Sequence, residues 1–159
     1  MTLVFNASPL IVLSKAVLLD HFVHLADRVL IPAAVAQEIS QAEDPSDPAR
    51  LWIARHPELI HGSPPVSPFV VAWDLGAGES SVISLASSDP ESIAVLDDLA
   101  ARRCAQAVGL RMTGTLGLIL MAKRAGIIPS ASSALDAVVS AGLFISTHHI
   151  DLIRRSAGE

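Results

Sequence analysis

Apolar residues along this chain come in two patterns, short unbroken runs and longer stretches with helical spacing. Leu3-Val4-Phe5, Val29-Leu30-Ile31 and Ile93 to Leu96 are runs of the first kind, bounded by polar or turn residues. Such runs predict strands buried on both faces. Helical spacing runs from Leu10 through Leu25, with a weak point at Asp20, and from Pro32 to about Gln41. Ser8 is a natural N-cap and Pro9 suits a first helical position, while Pro32 closes the second strand as it opens the next helix. Further helices are predicted at Ala49–Arg55, Gly76–Ser88, Leu99–Val108, Thr115–Ala125, Ala131–Ala141 and Thr147–Arg155. Leu110–Met112 carries the faintest strand pattern. Residues 43–48, EDPSDP, form a loop, and HGSPPVSP at 61–68 reads as an irregular surface loop within one domain.

Short strands alternating with helices predict βαβ units, hence an α/β fold of three layers, α/β/α, with a central parallel sheet. The 159 residues fit a single domain spanning 1–159. Parallel α/β sheets place their sites at the carboxyl ends of the strands. That rule singles out Asn6 and Ser8, then Asp97 and Asp98, then Thr113 and Thr115.

Composition narrows the possibilities. With 51% hydrophobic and 17% charged residues the chain builds a core, and a net charge of −5 argues against a surface coated with basic groups. The charge is unevenly placed: no Asp or Glu falls between Leu99 and Leu135, whereas Arg102, Arg103, Arg111, Lys123 and Arg124 do. Cys104 stands alone, so no internal disulfide forms. No apolar run is long enough to cross a bilayer and MTLVFNASPL lacks the character of a signal peptide, so a cytoplasmic location without membrane attachment is expected.

Two further acids border apolar stripes. Glu38 lies three residues after Val35 and next to Ile39; Glu79 lies three and four before Val82 and Ile83. An acid on a buried stripe is costly unless paired, hydrogen-bonded or bound to a cation. Each has an ordinary reading: Glu79 sits where a helix dipole favours negative charge, and Asp97 or Asp98 serves as a helix cap. Other chemistries lack support. Gly109 and Gly114 have P-loop spacing without the lysine, His148 and His149 are adjacent and point apart on a helix, and no G-x-S-x-G elbow occurs. A phosphoacceptor receiver would carry its acidic pair after the first strand, where this chain has Asn6.

The segments VFNASPLIVLSKA, LIPAAVAQEI, LGAGESSVISLA, AVLDDLAARRCAQAVGL and TGTLGLILMAKRAGII, in that order, resemble the PIN-domain family. More narrowly they are similar to its branch of predicted nucleic-acid-binding proteins related to the VapC toxins. The resemblance covers most of residues 3 to 128. It implies a metal-dependent endoribonuclease that cuts single-stranded RNA, holds Mg²⁺ or Mn²⁺ on acids, forms homodimers and answers to a small antitoxin protein. By position, the family's acids fall on Asn6, Glu38, Glu79 and the Asp97–Asp98 pair. Ser8 and Thr115 match its hydroxyl positions, and Arg102 matches the arginine of its DD…AR signature. Asn6 departs from the pattern by putting a neutral amide where the nucleases have an acid. The resemblance therefore leaves two readings, a nuclease with a weakened site and an inactive PIN-like module for nucleic-acid binding or protein interaction.

Overall fold

The first apolar run becomes the middle of the sheet. In the computed structural model, which describes residues 1–159, Thr2–Phe5 forms β1 and all four residues are buried. It pairs in parallel with β2 (Arg28–Pro32) on one side and β4 (Ser92–Val95) on the other. Two short strands extend the edges: β3 (Ile60–His61) beside β2, and β5 (Met112–Thr113) beside β4. The order is β3-β2-β1-β4-β5.

Ten α-helices connect and cover the strands: α1 (Ala7–Lys15), α2 (Leu19–Phe22), α3 (Ala33–Ser40), α4 (Pro48–Arg55), α5 (Pro68–Val71), α6 (Ala77–Ser87), α7 (Leu99–Ala107), α8 (Thr115–Arg124), α9 (Ala131–Ser140) and α10 (Thr147–Ala157). The α6 helix lies on β1, β2 and β4, with α7 beside it. On the other face α1 packs on α4 and α9, and α9 on α8 and α10. The result is the expected three-layer α/β/α fold. Phe5, Ile31, Val95, Leu96, Leu118 and Leu135 are fully buried within one continuous core, each side chain contributing ~1.5–3 kcal/mol relative to exposure. No helix is long and apolar enough to cross a membrane.

Several boundaries differ from the sequence pattern, each for a local reason. The helix expected from Leu10 to Leu25 begins at Ala7 and breaks after Lys15, earlier than Asp20; a second short helix and a 3₁₀ turn at Val23–Leu25 finish the stretch. Asn6, rather than Ser8, occupies the N-cap position of α1. The edge strand β3 starts within the segment just before the Pro-rich loop and is two residues long, too short for any periodicity to show. The Pro-rich loop ends in α5, capped by the Ser67 hydroxyl accepting from the Val70 N–H at 3.4 Å. The last strand lies at Met112–Thr113, later than Leu110–Met112, because a left-handed turn at Gly109 first ends α7.

The break after α1 stores strain. Val17 has φ of +57° and is 82% exposed. It occupies the left-handed position of a Schellman cap, with the Val17 N–H donating to the Ser14 carbonyl at 3.1 Å and the Leu18 N–H to the Leu13 carbonyl at 2.9 Å. Gly109 and Gly126 fill the same position after α7 and α8. A β-branched residue there costs ~1–2 kcal/mol that glycine does not. Val17→Gly is therefore expected to stabilise the protein by about 1 kcal/mol, read as a raised urea midpoint with an unchanged slope. An unchanged or lowered midpoint would show that Val17 makes compensating contacts.

Candidate functional site

The strand order reverses between β1 and β4, since the chain builds β2 and β3 to one side of β1 and β4 and β5 to the other. A crevice opens at the carboxyl ends of two strands whose connections leave in opposite directions. Asn6 stands at the end of β1, its N–H donating to the Val95 carbonyl at 3.1 Å, and Asp97 and Asp98 follow β4. Asn6 is 1% exposed and its side chain does not cap α1. Instead its Nδ2 donates to Glu79 Oε1 at 3.2 Å. Its Oδ1 is buried and accepts no hydrogen bond. Turning the amide over would set Oδ1 against Glu79, acceptor against acceptor, so this orientation is the favourable one.

Glu38 and Glu79 reach this amide from two packed helices. Glu79 lies in the first turn of α6, where the helix dipole favours a carboxylate. Glu38 projects from α3, which packs on α6. Gly78 allows the approach: a Cβ there would stand 2.9 Å from Glu38 Oε2, 3.2 Å from Asn6 Oδ1 and 3.5 Å from Val35 Cγ2. Partial burial, and then the charge of Glu79, push the Glu38 carboxyl above its ordinary pKa. A cavity of about 450 Å³ opens here, lined by Gln37, Glu38, Gln41, Gly76 and Glu79 among others.

The two aspartates after β4 have separate tasks. Asp98 is the N-cap of α7, its Oδ2 accepting from the Ala101 N–H at 2.9 Å, and it is exposed. Asp97 reaches across to α8, whose own N-cap residue is Gly114 and supplies no side-chain cap. Its Oδ1 accepts from the Thr115 N–H at 2.8 Å and its Oδ2 from the Thr115 hydroxyl at 2.6 Å. Thr115 is fully buried. Arg102, one turn into α7, donates from Nη1 to the Leu96 carbonyl at 2.9 Å. A Cβ on Gly114 would stand 2.7 Å from Asp97 Oδ1 and 3.1 Å from Arg102 Nη1. A second cavity of about 540 Å³ adjoins Asp97 and Arg102.

The residues singled out in the sequence thus fall into two groups. Asn6, Glu38 and Glu79 gather around Gly78; Asp97, Thr115 and Arg102 gather around Gly114. Asp98 turns to its cap, and Ser8 lies exposed in the first turn of α1. No three acids, histidines or cysteines converge closely enough to hold a metal ion by themselves. The third oxygen beside the two glutamates is the Asn6 amide. The acid-free stretch does not form one basic face either: Lys123 pairs with Glu159 at 2.8 Å and Arg111 with Glu91 at 3.7 Å, leaving Arg102 as its contribution at the crevice. Sequence reading missed Gly78 and Gly114. Gly78 stands directly before Glu79 in the sequence, whereas the closeness of Gly114 to Asp97 arises only in the fold.

A family model described as a PIN domain matches residues 2–159. This chain belongs to the PIN-domain family. No curated protein matches it. PIN domains have a nuclease-like fold and generally use divalent metal ions. The chemistry of this PIN domain's crevice fits such an ion. A buried carbonyl oxygen without a partner and two carboxylates that repel one another form an all-oxygen donor set, which suits a hard divalent cation.

The repulsion has a measurable sign. A folded-state pKa raised above the unfolded value means that the native state binds more protons, so stability falls as pH rises through that window. In metal-free protein, Glu38→Gln is expected to raise the melting temperature at neutral pH. The gain over wild type should shrink as pH drops from the raised Glu38 pKa toward the ordinary glutamate value, and should be gone below it. A gain independent of pH would show that Glu38 carries no such penalty.

Proposed function

We propose that this PIN domain is a metal-dependent endoribonuclease acting on single-stranded RNA, with Asn6, Glu38 and Glu79 holding Mg²⁺ or Mn²⁺. The observation that carries the reading is the Asn6 Oδ1 atom, buried and unpartnered beside Gly78, where Glu38 also reaches. Leaving a buried acceptor unsatisfied costs ~1–3 kcal/mol, and a cation would recover it. When bound there, the ion supplies an activated water as nucleophile and offsets charge on the scissile phosphate.

The chain's own residues would do the rest. Asn6 Nδ2 holds the Glu79 carboxylate in place. Asp97, fixed at both oxygens by Thr115, gives the crevice a rigid negative wall with no freedom to collapse onto the glutamates. Arg102, anchored through one N–H, has donors left for a substrate phosphate. Asp98 contributes the start of α7, which places Arg102. A toxin of the VapC type would add a homodimer and a small antitoxin that covers the acids; those partners belong to the proposal.

The alternative is a PIN module without nuclease activity that binds nucleic acid or protein. Asn6 favours it, because the neutral amide removes one unit of negative charge from the donor set. Mn²⁺ titration by calorimetry decides between them. Wild type is expected to bind and Glu79→Gln to lose binding. Asn6→Asp should tighten it by about ten-fold, ~1.4 kcal/mol. If neither wild type nor Asn6→Asp binds Mn²⁺, the nuclease reading falls and the module reading takes its place.

A further inference from the structure

The cavity beside Asp97 has features that metal binding does not use. Its volume of about 540 Å³ lies in the ~300–1,000 Å³ range of ligand pockets. The lining joins the tip of β5 and the start of α8, with Met112 and Leu116, to the α9–α10 connection with Phe144 and Ile145 and to His149 in the first turn of α10. Gly117 keeps the β5–α8 side open, since a Cβ there would collide with the Thr113 hydroxyl.

Phe144 is fully exposed, at 101%. The chain has four Phe, two Trp and no Tyr, and Phe5, Phe22 and Trp52 are all buried. A ring left wholly in water is unusual in so aromatic-poor a chain. The segment that carries it is anchored on both sides. The Leu143 N–H donates to the Val138 carbonyl at 2.9 Å, Ser146 caps α10 by accepting from the His149 N–H at 3.4 Å, and the Ser146 hydroxyl meets His149 Nδ1 at 2.7 Å. The far end of α10 is tied down by Glu159, which accepts from the Ala131 and Ser132 N–H groups at 3.0 and 2.9 Å.

The polar lining has a matching sense. Arg102 keeps guanidinium donors beyond the one bonded to Leu96, and His149 lines the same space. Asp97 is the only acid among the lining residues, and both its oxygens are engaged by Thr115. An exposed flat ring, apolar side chains and an anchored cation around one cavity suit a ligand with a planar face and an attached anion. We propose that this cavity holds one nucleotide of single-stranded RNA, its base stacked on Phe144 and its phosphate on Arg102. The proposal rests on the RNA-acting reading above and adds a base-binding subsite to it.

The test compares binding of a fluorescein-labelled oligouridylate with that of an abasic oligomer of equal length, by anisotropy, with Ca²⁺ in place of Mg²⁺. Wild type is expected to bind the base-bearing oligomer about ten-fold more tightly, the loss expected for one stacked base. Phe144→Ala should erase that difference and Phe144→Trp preserve it; the exposed position leaves folding intact in both. Cleavage of the same RNA with Mn²⁺ is followed separately. A base preference lost in Phe144→Ala supports the subsite even if wild type cleaves nothing, an outcome that sinks the nuclease reading alone. Equal binding of the two oligomers, binding of neither, or a base preference that survives Phe144→Ala would overturn the subsite even in an active nuclease. The cavity would then be open to an apolar peptide segment instead.

Discussion

Because β1 pairs with β2 on one edge and β4 on the other, the chain must reverse direction across the sheet between its third and fourth strands. That single constraint brings the ends of β1 and β4 side by side while sending their helices apart. Asn6 and Asp97 owe their neighbourhood to it, and so does the space before them. It also makes β1 the most enclosed segment of the protein, so the side chain that follows it is buried whatever its polarity. An amide with an unsatisfied oxygen in such a place is a cost to the fold. That cost falls at the topological switch point, where the proposed metal site lies.

The two sides of the crevice handle negative charge in opposite ways. Asp97 receives an N–H and a hydroxyl from one residue and doubles as the cap that Gly114 cannot supply to α8. It is satisfied and rigid. Glu38 and Glu79 have no cationic partner, and partial burial, with the charge of Glu79 added to it, lifts the Glu38 pKa. Here the amide matters in a way that an acid at the same position would not. Asn6 Nδ2 is a donor, and it holds Glu79 in the absence of any ion. A third carboxylate would attract a divalent cation more strongly and would destabilise the empty site more. In the proposed metal site, the asparagine would thus trade cation affinity for a lower electrostatic cost to the fold.

Much of this was visible in the residues before any coordinates. The three long apolar runs are the three central strands, and fully buried strands announce themselves because nothing polar interrupts them. Of the two-residue edge strands, β3 leaves no such trace and β5 only the faint pattern at Leu110–Met112; both depend on neighbours to form. The inward acids Glu38 and Glu79 could be read from helical spacing, since a face is fixed by position along a helix. The division of labour between Asp97 and Asp98 could not. Adjacent residues leave a strand tip in different directions, and which one meets Thr115 depends on where α8 begins, a long-range fact. Ser8 was misread as a cap for the same reason: Asn6 takes the N-cap position with its backbone while its side chain answers to Glu79, distant in sequence.

The C-terminal helices matter to the crevice because they line one side of it, and beside the buried Ile153 and the Arg154–Asp136 pair one carboxylate ties them together. Glu159 is hydrogen-bonded by Lys123 and by the Ser132 and Ala131 N–H groups, in that order of effect, and these hold its pKa far below the usual glutamate range. A lowered folded-state pKa contributes stability above the unfolded value and withdraws it only as pH falls through the folded one. The tie between α8, α9 and α10 is therefore fully formed at neutral pH and persists well into acid. Salt screens the Lys123 pair but not the two backbone N–H donors, so the tie does not depend on ionic strength alone. Phe144 is consequently presented to the cavity by a fixed frame instead of a loose tail. An exposed aromatic ring on an anchored backbone has only its own two side-chain torsions to lose when a planar ligand arrives, a smaller cost than ordering a loop as well.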